Sequence, residues 1–198
     1  MYDYQVALVT IGTIIGLASF YPYYRDIVKG TTKPHVFSWL IWSLLVGITF
    51  FIQLAEGGGI GAIVTGIESL CCFGITLFAY TRGEKIIPFT DWICLFLAIA
   101  AIVLWQGADQ PLLAVLFIIL ADFFAFLPTF RKSYNRPYQE TISQFAMSSV
   151  RWFLVIPALE TLTLTTFLYP LWCGVLDGVL VATLVIRRKQ LPTKIKGN

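Results

Sequence analysis

Long apolar stretches dominate this chain, and basic residues fall only in every second gap between them. Hydropathy puts the stretches at about 5–23, 36–55, 59–81, 91–107, 111–130, 141–159 and 164–186. Crossing the hydrocarbon core of a bilayer takes about 20 apolar helical residues. Seven such spans fill most of the 198 residues and leave no separate soluble domain. Composition agrees: 58% of residues are hydrophobic and 13% charged, against about 45–50% and 25% in a soluble domain. A soluble globular fold and disorder are both excluded on that ground. The expected fold is an all-α membrane protein with the lipid bilayer as its solvent.

The charges orient the chain. Of the 14 Lys and Arg residues, all but Arg151 lie outside the spans. Arg25, Lys29 and Lys33 follow the first span, Arg82 and Lys85 the third, and Arg131, Lys132 and Arg136 the fifth. Arg187, Arg188, Lys189, Lys194 and Lys196 follow the seventh. The other polar ends carry only Asp3, Glu56, Asp109 and Glu160. The positive-inside rule then puts the N-terminus outside and the C-terminus in the cytoplasm. Short loops favour a bacterial inner membrane. The net charge of +3 serves this orientation, so no nucleic-acid partner is expected.

Turn formers mark the breaks: Lys29-Gly30, Lys33-Pro34, the Gly57-Gly58-Gly59 run, Gly107 to Pro111, Asn135-Arg136-Pro137 and Glu160-Thr161. Pro111 suits a first helical turn, whereas Pro157 and Pro170 should kink spans six and seven. The start of the chain lacks the basic region of a signal peptide, so the first span is expected to be retained. Cys71, Cys72, Cys94 and Cys173 all fall inside spans, match no metal spacing and read as packing residues.

An internal repeat is visible. Tyr21-Pro22-Tyr23-Tyr24-Arg25 closes span one and Leu127-Pro128-Thr129-Phe130-Arg131 closes span five. A basic loop and a second proline follow each, Pro34 and Pro137, and a serine comes shortly after, Ser38 four residues on and Ser143 six. Spans 1–3 and 5–7 run in the same direction, and span 4 supplies the inverting crossing. Parallel repeats of this kind occur in transporters.

With these prolines, basic loops and a three-plus-one-plus-three order of spans, the chain resembles the PQ-loop group, which includes the SWEET sugar transporters and lysosomal amino-acid exporters. Tyr23 and Thr129 stand where that motif has glutamine. The resemblance implies a first three-helix bundle over 1–86, a linker helix over 87–110, a second bundle over 111–190 and a basic tail over 191–198. It also implies that Pro22 and Pro128 act as hinges. A proline weakens the turn before it, which supports a hinge independently.

Four ionisable residues lie near mid-span: Glu68, Asp122, Arg151 and Asp177. A charge there costs about 2.5–3.5 kcal/mol even on the insertion scale, and such groups mark pathways. Arg151 stays protonated and needs a counter-ion, for which Asp122 or Asp177 is expected. One positive against three negative groups leaves two to be balanced by protonation, a cation or a substrate. Trp42 lies deep enough to stack on a ring, sugar or cation. Trp92 and Trp105 read as interface anchors. His35 reads as a helix-entry residue, with a pH-sensitive gate as the sharper alternative. Gly12 with Gly16 and Gly174 with Gly178 have the spacing for close helix approach, expected within each triplet; a homo-oligomer face is the other use of such pairs.

The expected function is transport of a small polar solute, sugar-like or cationic or zwitterionic, by alternating access, with proton coupling left open. A receptor or sorting protein on the same scaffold is the alternative. An enzyme is the weakest reading, because no nucleophile–base pair or metal cluster stands out. No cofactor is expected.

Overall fold

The computed structural model of the chain describes residues 3–55, 59–159 and 162–191; the side chains of 52–63 lie outside that description. The described residues form seven α-helices and no strand: α1 (Asp3–Val28), α2 (Val36–Ala55), α3 (Gly59–Arg82), α4 (Phe89–Gln106), α5 (Pro111–Asn135), α6 (Ile142–Val155) and α7 (Leu164–Gln190). Short 3-10 turns follow α5 and α6. The Gly57-Gly58 pair, Glu56, Glu160-Thr161 and tail residues Lys194 and Lys196 lie outside the described residues.

Five helices are long and apolar enough to cross a membrane, namely α1, α3 from Val64 onward, α4, α5 and α7, and α2 has a shorter apolar stretch over Val36–Phe51. That is the mark of an integral membrane protein. With lipid on the outside, helix association rests on close packing and interhelical hydrogen bonds rather than on expelling water.

Local chemistry sets the helix ends. Gly30 adopts a positive φ of 74° just past α1, the left-handed position that glycine fills most cheaply. The amides of Thr31 and Thr32 both bond back to the Asp26 carbonyl there. Pro111 occupies the first turn of α5, as expected. Thr163 and Thr166 cap the start of α7 reciprocally.

Several boundaries depart from the sequence reading. Pro22 and Pro128 do not close their helices: α1 continues to Val28 and α5 to Asn135, with each proline inside. A helix tolerates an interior proline where neighbouring groups compensate the freed carbonyls. Next to the Phe124 carbonyl that Pro128 leaves without its amide, the Ser38 hydroxyl donates to the Ala125 carbonyl at 2.6 Å, an interhelical bond that holds this turn against α2. Pro157, by contrast, ends its helix instead of kinking it. Helix α6 stops at Val155, and Pro157 lies in the 3-10 turn Ile156–Ala158. Pro170 is inside α7, as expected. Ser38 and Ser143 are not in matching surroundings, since Ser38 is buried and Ser143 exposed.

The helices pair in a definite pattern. Helix α3 packs on α1 and α2, and α7 packs on α5 and α6. Helix α1 also packs on α6, α2 on α5, and α4 on α5 and α2. One buried core joins Phe20, Tyr23, Trp39, Ile75, Phe126, Phe145 and Leu180. A second lets α4 approach α2 and α5 through Ala98, Ala101, Ala121 and Ala125 around Ile41 and Leu45, where small side chains permit close contact.

Candidate functional site

Helices α1, α2, α3, α5, α6 and α7 enclose a central chamber of about 100 Å³. All five residues expected to carry binding or coupling line it: Glu68, Asp122, Arg151, Asp177 and Trp42. Pro22 and Pro128 do not line it; they lie toward the basic ends of α1 and α5. The chamber also gathers polar groups that the sequence reading passed over, Gln144, Ser148 and Tyr169. A pattern in the sequence pointed to them. Gln144, Ser148 and Arg151 recur at helical spacing on α6, as do Tyr169, Cys173 and Asp177 on α7, so each set shares one helix face.

The counter-ion of Arg151 is neither aspartate. Arg151 pairs with Glu68 on α3, Nη1 donating to Oε1. Local fit explains this choice. Gly12 and Gly16 open a lane on α1 along which the arginine lies: a Cβ at Gly16 would stand 2.5 Å from Arg151 Cδ and 3.1 Å from Glu68 Oε1. The glycine pair on α1 therefore serves α1 against α6, not packing inside one triplet as expected. The second pair does behave as expected, with Gly174 facing Phe153 and Gly178 facing Ser149, both on α6. The Trp152 ring lies 4.4 Å from the Arg151 guanidinium carbon, an arrangement that favours a cation over a π face.

Asp122 is held by two indoles. Trp42 Nε1 donates to one carboxylate oxygen at 3.0 Å and Trp172 Nε1 to the other at 2.9 Å. Asp177 is also buried, and it lines the chamber together with Ser148. Among the described residues, neither aspartate has a Lys or Arg within ion-pair distance. The four mid-span charges thus resolve into one neutral pair and two carboxylates without a cation.

The two ends of the chamber differ. A wider, mainly apolar cavity of about 1020 Å³ adjoins it and shares Leu45, Val46, Glu68, Arg151, Trp152 and Tyr169 with its lining. Its wall also takes in Val6 and Thr10 on α1, Val64 on α3, Trp105 on α4 and Val115 on α5. All of these lie toward the helix ends that lack basic residues.

At the opposite, basic end, ion pairs and hydrogen bonds tie neighbouring segments together. Arg131 on α5 bridges Glu84 at 2.9 Å and Asp91 at 2.7 Å. His35, fully buried just before α2, meets Asp91 at 2.9 Å. Lys132, also fully buried, pairs with Glu140 and donates to the Lys33 carbonyl at 2.7 Å. Thr141 bonds to Asp26 at 3.0 Å and to Thr32 at 2.5 Å. Lys132, Arg131 and Lys33 read from sequence as orientation charges alone; here Lys132 and Lys33 join the α1–α2 loop to the α5–α6 segment, and Arg131 joins α5 to the α3–α4 segment. The helix-entry position of His35 is as expected, and its Asp91 partner was not visible in the spacing.

No cluster of three or more His, Cys, Asp or Glu residues suited to a metal occurs among the described residues. The four cysteines are free, and Cys72 and Cys173 line the chamber. Compared with known proteins, the chain matches no family model, no curated protein and no solved structure.

Proposed function

We propose that this protein is a membrane transporter of a small polar solute that works by alternating access, built as two three-helix bundles joined by the linker helix α4. The observation that carries this reading is the chamber itself. Ionisable groups from α3, α5, α6 and α7 converge in it, a wide cavity adjoins it on one side, and ion pairs tie the helices together on the other. Ionisable groups this deep in a membrane fold ordinarily belong to a solute or ion path.

The helix pairings support the repeat. Exchanging α1, α2 and α3 for α5, α6 and α7 turns every contact between helices of the two sets into another observed one: α1 on α3 becomes α5 on α7, and α1 on α6 becomes α5 on α2. Helix α4 contributes no residue to the chamber, as suits a linker. This is the arrangement of the PQ-loop and SWEET-like group that the proline repeat resembles, and Pro22 and Pro128 are then the hinges. The charge alternation orients the basic face toward the cytoplasm, in a bacterial inner membrane. The structure is then the outward-open state, with the cytoplasmic gate closed. The solute is sugar-like, cationic or zwitterionic.

Reconstitution into proteoliposomes tests this directly. Counterflow of a labelled solute, lost on closing the chamber with a Ser148→Trp replacement, is the expected result. Saturable binding with no flux in either direction would favour a receptor on the same scaffold and overturn the transport reading.

A further inference from the structure

We propose that the chamber recognises an organic cation, an alkylated or quaternary ammonium ion, and neither a sugar nor an anion. The inference rests on the transport reading for its site, and its binding test is independent of flux.

Charge balance comes first. Glu68 and Arg151 neutralise one another, so the chamber presents Asp122 and Asp177, both buried and without a basic partner among the described residues. An anionic solute would meet two carboxylates at close range. The wall chemistry narrows the choice further. Trp42, Phe126, Phe145 and Tyr169 surround the acids. The Trp42 ring lies edge-on to Phe126 at 4.9 Å and to Phe145 at 6.3 Å. Its N–H edge is fixed on Asp122, so its position is set by the carboxylate that a cation would approach. Aromatic faces around buried carboxylates suit a large, weakly hydrated cation. A sugar could bond Gln144 and Ser148, but it would leave the two carboxylates without a counter-charge. A small metal ion is also a poor fit, because both Asp122 oxygens already accept indole N–H bonds.

The test is equilibrium binding to the purified full chain in detergent, read by tryptophan fluorescence. The probes are choline, its uncharged isostere 3,3-dimethylbutan-1-ol, and glucose. Saturable choline binding is expected, with the neutral isostere at least about tenfold weaker and glucose without effect. Asp177→Asn should weaken choline about tenfold or more while leaving the neutral isostere unchanged, and Asp122→Asn should weaken choline at least as much. Equal binding of choline and its isostere, no saturable choline binding, or full choline affinity in both variants overturns the proposal. Should either variant fold poorly, the comparison of choline with its isostere in the unaltered chain still decides. Choline binding without flux would refute transport but not cation recognition; sugar flux without choline binding would do the reverse.

Discussion

Lys132 and Glu140 offer the sharpest test of the basic-face closure. Both side chains are buried, at 0% and 1% exposure. Lys132 satisfies a second acceptor, the Lys33 carbonyl, on the loop between α1 and α2. Replacing Lys132 with Met leaves a buried carboxylate without its counter-ion and the Lys33 carbonyl without its donor; replacing Glu140 with Gln leaves a buried ammonium without its counter-charge. Breaking a buried pair from one side costs about 3–5 kcal/mol, whereas removing both charges together is often close to neutral. At about 2–4 °C per kcal/mol for a chain of this size, each single variant should melt roughly 6–20 °C lower. The Lys132→Met/Glu140→Gln double variant should regain most of that loss. Thermal unfolding of all four proteins in the same detergent closes the cycle. Single losses that simply add in the double variant, within about 0.5 kcal/mol, would refute the claim that the two side chains act as one unit.

Two further outcomes follow from the same geometry. Gly16→Ala should destabilise the protein by about 1–3 kcal/mol despite the helix-favouring change, because the new methyl displaces Arg151 from Glu68; in an Arg151→Ala background most of that penalty should vanish, as denaturation of the two pairs would show. Ser38→Ala removes the hydroxyl that donates to the Ala125 carbonyl and accepts from Thr129; its unfolding free energy should fall by about 0.6–1.7 kcal/mol, the range of interhelical bonds in membrane proteins.

Hydropathy and charge alternation made the helices legible because span length and loop charge are local properties. The candidate residues were legible for a related reason: a charge at mid-span is costly, so Glu68, Asp122, Arg151 and Asp177 stood out one by one. Their pairing did not. Whether Arg151 meets Glu68 or an aspartate depends on the crossing of α1 with α6, and so on the absence of a side chain at Gly16. The prolines misled because the rule that a proline ends a helix ignores tertiary contacts that hold the weakened turn; at α5, Ser38 bonds the adjacent Ala125 carbonyl and anchors that turn to α2. The basic-face network stayed hidden because Lys132 and Arg131 fit the orientation pattern perfectly well as exposed charges. Only the approach of the α1–α2 loop to the segment before α6 buries Lys132, and only the α3–α4 segment gives Arg131 its partners.

Sided accessibility of Cys173, which lines the chamber, tests most directly whether that chamber opens to one face of the membrane. With Cys71→Ser, Cys72→Ser and Cys94→Ser in place, Cys173 is the single thiol left. A small, charged, membrane-impermeant thiosulfonate should modify it from the face of the wide cavity and not from the basic face, with basic-face labelling appearing once Lys132→Met is added. Equal labelling of the otherwise unaltered chain from both faces, or labelling from the basic face alone, would contradict a closed basic gate and the one-sided chamber it protects.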